Sequence, residues 1–166
     1  MMPALRCTRW ARWIRWARTG GVLAALTVLA SAARAQGDAS VTTVVSASTF
    51  DSTLARLERA AVAKGLTIAL KLDHAAAAKR AGLPLRPTTL VMAGNPAAGT
   101  PLMQASPTIG VELPLRFLVW QGEDGKARVS YDPIKAIAGR HGVTGKDELV
   151  ARMTTAIAGI VAEATR

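Results

Sequence analysis

Apolar and polar residues fall along this chain in blocks, each with the period of one kind of element. The β-branched run VTTVVSAS (41–48) reads as a strand. In TFDSTLARLERAAVAKG (49–65), Phe50, Leu54, Leu57 and Ala61 recur at the spacing of a helix with one buried face. Ser48 or Thr49 can cap its start, and Gly65 stands where a left-handed stop residue belongs. LTIALKL (66–72) gives a second strand, and DHAAAAKRAG (73–82) a short helix opened by Asp73 and closed by Gly82. TTLVMAG (88–94), entered through Pro84 and Pro87, gives a third strand. LPLRFLVWQ (113–121) and KARVSYD (126–132) flank Gly122-Glu123-Asp124-Gly125 and read as an antiparallel hairpin. Two helices close the chain, DPIKAIAGRHG and KDELVARMTTAIAGIVAEATR. In the second, Leu149, Met153, Ala156, Ile157 and Ile160 line one face.

Between the third strand and the hairpin the pattern lapses. Residues 94–112 carry prolines and glycines without regular apolar spacing and read as a long loop. The resulting order predicts a single compact α+β domain, an antiparallel or mixed sheet with helices packed mainly on one face.

Charge changes the picture only through its position. The chain of 166 residues has a net charge of +10, which suits a nucleic-acid binder. However, Arg6, Arg9, Arg12, Arg15, Arg18 and Arg34 all fall within residues 1–35, around the apolar run Gly21 to Ala30. Basic, apolar and small-residue regions in that order make a secretory signal peptide, with Ala33-Arg34-Ala35 before a cut at Gln36. A leader retained as an anchor is the alternative. The expected organisation is a leader over 1–35, a short tether over 36–44 running into the first strand, and a domain over 45–166. Without the leader, 15 basic residues face 11 acidic ones. They are scattered, so nucleic-acid binding loses its support. Cys7, the single cysteine, also lies in the leader, which removes disulfides and cysteine metal sites from the domain. The expected location is periplasmic or secreted, with no membrane contact once the leader is cut.

The stretch LDHAAAAKRAGLPLRPTTLVMAGNPAAGTPLMQASPTIGVELPLRFLVWQGEDGKARVSYDP resembles the bacterial family called domain of unknown function 302. The marks are Asp73-His74, Gly94-Asn95-Pro96, Pro101-Leu102-Met103, Leu113-Pro114 and Tyr131, spread over roughly residues 45 to 165. The resemblance implies a compact α+β domain and a dimer. It brings no established activity and no agreed catalytic residues.

Several residues are candidates for chemistry. His74 beside Asp73 could act as a general base. Gly94-Asn95-Pro96 makes a sharp exit from a strand, and the N–H groups after it could meet a small anion. His141, beside Gly142, suits a helix C-terminus. A copper site from His74, Met92, Met103 and Glu112 lacks close ligand spacing, so no metal or other cofactor is expected. Ser106 or Thr100 as a nucleophile with His74 has no supporting elbow motif.

The preferred expectation is a non-catalytic module binding a small ligand or a protein partner. Its pocket would lie between the 94–112 loop and the 73–82 helix, using Asp73, His74, Gly94, Asn95, Met103 and Tyr131. The alternative is a small hydrolase or transferase with His74 as base and Asn95 and Tyr131 as polar partners. Leu102, Met103, Ile109, Val111 and Leu113 would be hard for a loop to bury beneath itself. They therefore point to a homodimer interface along that segment.

Overall fold

The computed structural model describes residues 41–166; the expected leader and the first residues of the tether lie outside them. Five strands, β1 (Thr42–Val45), β2 (Thr67–Asp73), β3 (Thr88–Gly94), β4 (Leu115–Gln121) and β5 (Ala127–Tyr131), form one sheet in the order β1-β5-β4-β3-β2. Every neighbouring pair is antiparallel. Between and after them come α1 (Phe50–Ala63), α2 (His74–Arg80), α3 (Pro96–Ala105), a 3-10 helix (Pro107–Val111), α4 (Ile134–Arg140) and α5 (Asp147–Thr165). This is a single α+β domain.

Alternation along the strands decides which face is covered. Thr89, Val91 and Ala93 of β3, Leu115, Phe117 and Val119 of β4, and Ala127 and Val129 of β5 all point one way and are buried. Against them lie Leu54, Leu57 and Ala61 of α1 and Ile157, Ile160 and Val161 of α5. On the opposite face the register aligns Leu72, Leu90, Leu118, Ser130 and Thr43 in one row across all five strands. Ser130 Oγ there accepts from Trp120 Nε1 at 2.9 Å and meets Thr43 Oγ1 at 2.8 Å. Leu70, Leu72 and Val45 remain exposed on this outer face.

The caps follow the sequence. Thr49 accepts from the Ser52 N–H at the start of α1, and Asp73 Oδ1 accepts from the Ala76 N–H at the start of α2. β1 is shorter than the run VTTVVSAS suggests. The Ser46 hydroxyl turns inward to Thr53 Oγ1 at 2.7 Å, and Ala47 N–H reaches the Thr165 carbonyl at 2.9 Å. Those bonds take the backbone off the sheet and fasten it to α1 and α5. At the hairpin tip, Arg128 lies 5.2 Å from the Trp120 ring centre and grips both oxygens of Asp124 at 2.8 Å. Those hydrogen bonds pull the Asp124 carboxyl down to about 2.

The 94–112 segment is not a loop, and this corrects the sequence reading. Asn95 Oδ1 accepts from the Ala97 N–H at 2.9 Å and caps α3. Pro96 follows at the first helical position, where its missing N–H costs nothing. Leu102 and Ile109 are fully buried in the core, and Met103 and Leu113 are half-buried against it. Val111 alone of the five stands out, 80% exposed. Four of the five apolar residues therefore pack within the domain, and the expectation that the segment cannot bury them no longer argues for a dimer.

Candidate functional site

β2 begins, β3 ends and β4 begins at the same end of the sheet, since Thr67 pairs with Gly94 and Ala93 with Leu115. Above that end α3 and α5 stand apart, and a cavity of about 610 Å³ opens between them. Leu66, Ala69, Leu113 and Leu115 line it from the sheet side, Ala98, Gly99 and Met103 from α3, and Leu149, Met153, Ala156, Ile157 and Ile160 from α5. The few polar lining side chains are Lys64, Thr67, Asn95, Thr100 and Arg152. Among the described residues no Asp, Glu, His or Cys lines it.

One joint shapes the sheet end of this cavity. Asn95 caps α3 through its oxygen and donates from Nδ2 to the Gly65 carbonyl at 3.1 Å. Gly65 has φ +77°, which L side chains avoid, so the turn from α1 into β2 depends on glycine. Gly94 passes against Pro114: a Cβ on Gly94 would sit 3.1 Å from Pro114 Cβ. The Leu113–Pro114 peptide bond is cis. Three of the marks that carry the family resemblance thus meet at one place or line one cavity.

The sequence expected the pocket between 94–112 and the 73–82 helix. The structure supplies the first wall and replaces the second with α5. Gly94, Asn95 and Met103 line the cavity; Asp73, His74 and Tyr131 do not. Asp73 pairs with Thr89 and Thr67 with Gly94, so His74 and Asn95 stand at opposite ends of β2. At ~3.3 Å per residue they are about 20 Å apart. Tyr131 lies on β5, separated from β2 by β4 and β3, with its ring centre 6.2 Å from that of Phe117. His74 therefore meets neither of the polar partners expected for a general base. Met92 belongs to the outer face of β3, while Met103 packs against the core. His74, Met92, Met103 and Glu112 do not come together, and no cluster of three or more His, Cys, Asp or Glu exists among the described residues.

Sequence reading missed a polar cluster on the far side of α3. Glu112 bonds Arg116 and Arg140, the latter at 3.2 Å, and its Oε1 lies 3.7 Å from His141 Nε2. His141 Nδ1 meets Thr108 Oγ1 at 3.0 Å, and Ser106 donates to the His141 carbonyl at 2.7 Å. His141 caps α4, as its place beside Gly142 suggested, and also ties α4 to the 3-10 helix. Ser106, once paired in expectation with His74, belongs here instead. Nothing in the spacing of residues 106, 108, 112 and 141 announces the cluster, because the β4–β5 hairpin and α4 intervene.

Burial opposes the charge on Glu112. The Arg140 hydrogen bond and the positive charges of Arg116 and Arg140, together with the His141 hydrogen bond, outweigh it and lower the carboxyl pKa. A carboxyl with a lowered folded-state pKa contributes stability above its unfolded value and loses it as pH falls through the folded one. Glu112→Gln is therefore expected to cost about 1–2 kcal/mol at neutral pH. The difference from the parent chain should shrink below roughly pH 4.3, the ordinary Glu value. Denaturant titrations at pH 7 and pH 3.5 check this; an equal difference at both would contradict it.

The comparisons agree with the architecture. A family model described as "Domain of unknown function DUF302" matches residues 41–160. The fold resembles an uncharacterized conserved protein of the same family from Bacillus stearothermophilus, with a TM-score of 0.68 at 18% identity, covering 76% of this chain and 98% of that one. Over 104 residues the chain is 39% identical to proteins named fluoride-specific ion channel FluC 1 from Brucella suis and Brucella abortus. Those matches cover 63% of this chain but only 41% and 38% of the relatives, so the chain spans about two fifths of their length. No helix among the described residues is long and apolar enough to cross a membrane. With a family model matched over most of its length, the chain belongs to the family described as domain of unknown function 302.

Proposed function

We propose that this protein is an exported, non-catalytic binding module that takes an apolar small molecule into the cavity between α3 and α5. The observation that carries the proposal is the cavity itself. Its volume of about 610 Å³ falls in the range of ~300–1,000 Å³ typical of ligand clefts, and the surface of its walls is mainly apolar, with aliphatic and Met side chains outnumbering the polar ones. Each methylene moved from water into such walls is worth about 0.8 kcal/mol, which is enough driving force without a single directed bond. Export rests on the order of basic, apolar and small residues in 1–35. The rival hydrolase or transferase reading needs a base at a cavity, and His74 does not line this one.

A neutral solvatochromic dye such as Nile red tests the proposal directly. The protein should bind it with a blue-shifted emission. Ala156→Trp, which fills the cavity from α5, should weaken binding at least tenfold while leaving the thermal transition in place. Absence of dye binding by the parent chain, or unchanged binding by a folded Ala156→Trp variant, would refute it.

A further inference from the structure

The cavity has one polar end. Lys64, the residue that ends α1, and Thr67, the first residue of β2, both line it. The two lie three residues apart, across the Gly65 turn that Asn95 Nδ2 fastens to the start of α3. The Lys64 stem lies along α5 where a side chain is missing: its Cε is 3.7 Å from the place a Cβ on Gly159 would take. Among the described residues, no carboxylate stands within 4 Å of the Lys64 ammonium, and the Thr67 hydroxyl has no hydrogen-bonding partner. Arg152, the other charged residue of the lining, is paired with Glu148 at 3.8 Å; Lys64, Thr67 and Arg152 are all exposed, so pairing is what separates the two cations. Among the described residues Lys64 is thus the cation at the cavity without a carboxylate partner, and none of them places an acidic side chain in the walls to compete.

Resting on the binding function proposed above, we infer that the ligand is a single-chain aliphatic carboxylate whose head group meets Lys64 and Thr67 and whose tail lies along α5. An ammonium and a hydroxyl lining the same cavity suit a carboxylate, which accepts charge-assisted bonds on both oxygens. From the Ile160 end of α5 the tail runs past Ala156, Met153 and Leu149 in turn, the part of the apolar stripe that the core leaves uncovered. The eleven helical steps from Ile160 to Leu149 measure about 16 Å, the length of an extended chain of roughly a dozen carbons. Methionines on both walls, Met103 and Met153, give a surface that adapts to a flexible chain.

Dodecanoate and 1-dodecanol, titrated below their aggregation limits against the full chain, separate head group from tail. Both should displace Nile red, dodecanoate at least tenfold more tightly. Lys64→Met should remove that preference by weakening dodecanoate while leaving dodecanol unchanged, and Lys64→Arg should restore most of it. Arg80→Met, a charge lost from α2 away from the cavity, controls for net charge, and residues 1–35 are common to every variant. Equal affinity for acid and alcohol in the parent chain, or a preference that survives Lys64→Met in a folded protein, would overturn the inference while leaving the cavity's binding role intact. If neither compound binds and the dye does not, both readings fall together.

Discussion

Leu102→Ala will lower the free energy of unfolding by about 3–4 kcal/mol, while Val111→Ala in the same segment will change it by less than about 0.5 kcal/mol. The two residues lie nine positions apart in a stretch whose composition reads as loop. Leu102 is fully enclosed on α3, within the core cluster that includes Ile109, Leu115 and Phe117. Truncation there removes three carbons and leaves a void that close-packed neighbours fill only in part. Val111 stands at the end of the 3-10 helix with 80% of its surface in water, so truncation removes little that folding buries. Chemical denaturation of the two variants decides the matter. Similar small losses from both would mean that 96–111 is draped over the domain instead of built into it.

The elements that sequence made legible are those whose signals are local. α1 shows its period, its Thr49 cap and its Gly65 stop within seventeen residues, and the β4–β5 hairpin shows its alternation and its glycines. α3 was illegible for a physical reason. Pro96, Gly99 and Pro101 each argue against helix in isolation, yet Pro96 sits where no donor is needed and Asn95 supplies the cap. Gly99 meets no steric demand of its own: a Cβ there would lie 3.5 Å from Leu113 Cδ1, an ordinary packing contact. The cavity was half legible. The stripe Leu149, Met153, Ala156, Ile157 and Ile160 is present in the sequence of α5, and a single wide stripe reads as one packing face. In the structure Ile157 and Ile160 meet the core, while Leu149, Met153 and Ala156 stay partly uncovered above the cleft. Which part of an apolar face finds a partner depends on where α3 stands, and no period encodes that.

The same reasoning recasts Gly94-Asn95-Pro96. Its residues suggested an anion site, but their side-chain and backbone bonds are spent on the fold, on Ala97 and Gly65. Conspicuous turn chemistry here builds the sheet end of a pocket whose own surface is mainly hydrocarbon. Lys64 carried no motif in the sequence. Its interest comes from standing beside that hydrocarbon without a carboxylate partner among the described residues.

Gly94→Val is expected to destabilise the domain by about 2–3 kcal/mol. Gly94 is held on three sides: it pairs with Thr67 across the ladder, leads into the cap at Asn95, and faces the Leu113–Pro114 turn. A Cβ would lie 3.1 Å from Pro114 Cβ and 3.6 Å from its Cα, so the first added carbon is already tight and two more have nowhere to go without moving β4. Gly94→Ala, with the first carbon alone, should cost about 1 kcal/mol by the same contact. Pro114→Gly removes the opposing Cβ and carries its own cost through a looser unfolded chain. That cost cancels in a double-mutant cycle. If the Gly94–Pro114 approach is what demands glycine, the pair Gly94→Ala and Pro114→Gly will be less destabilising than the two changes added, with a coupling of about 0.5–1 kcal/mol. Strict additivity would place the requirement for glycine in the backbone of residue 94 and not in its neighbour. Because both residues line the cavity, the displaced strand should also weaken dye binding in Gly94→Val, and adding Pro114→Gly to that variant should recover part of it.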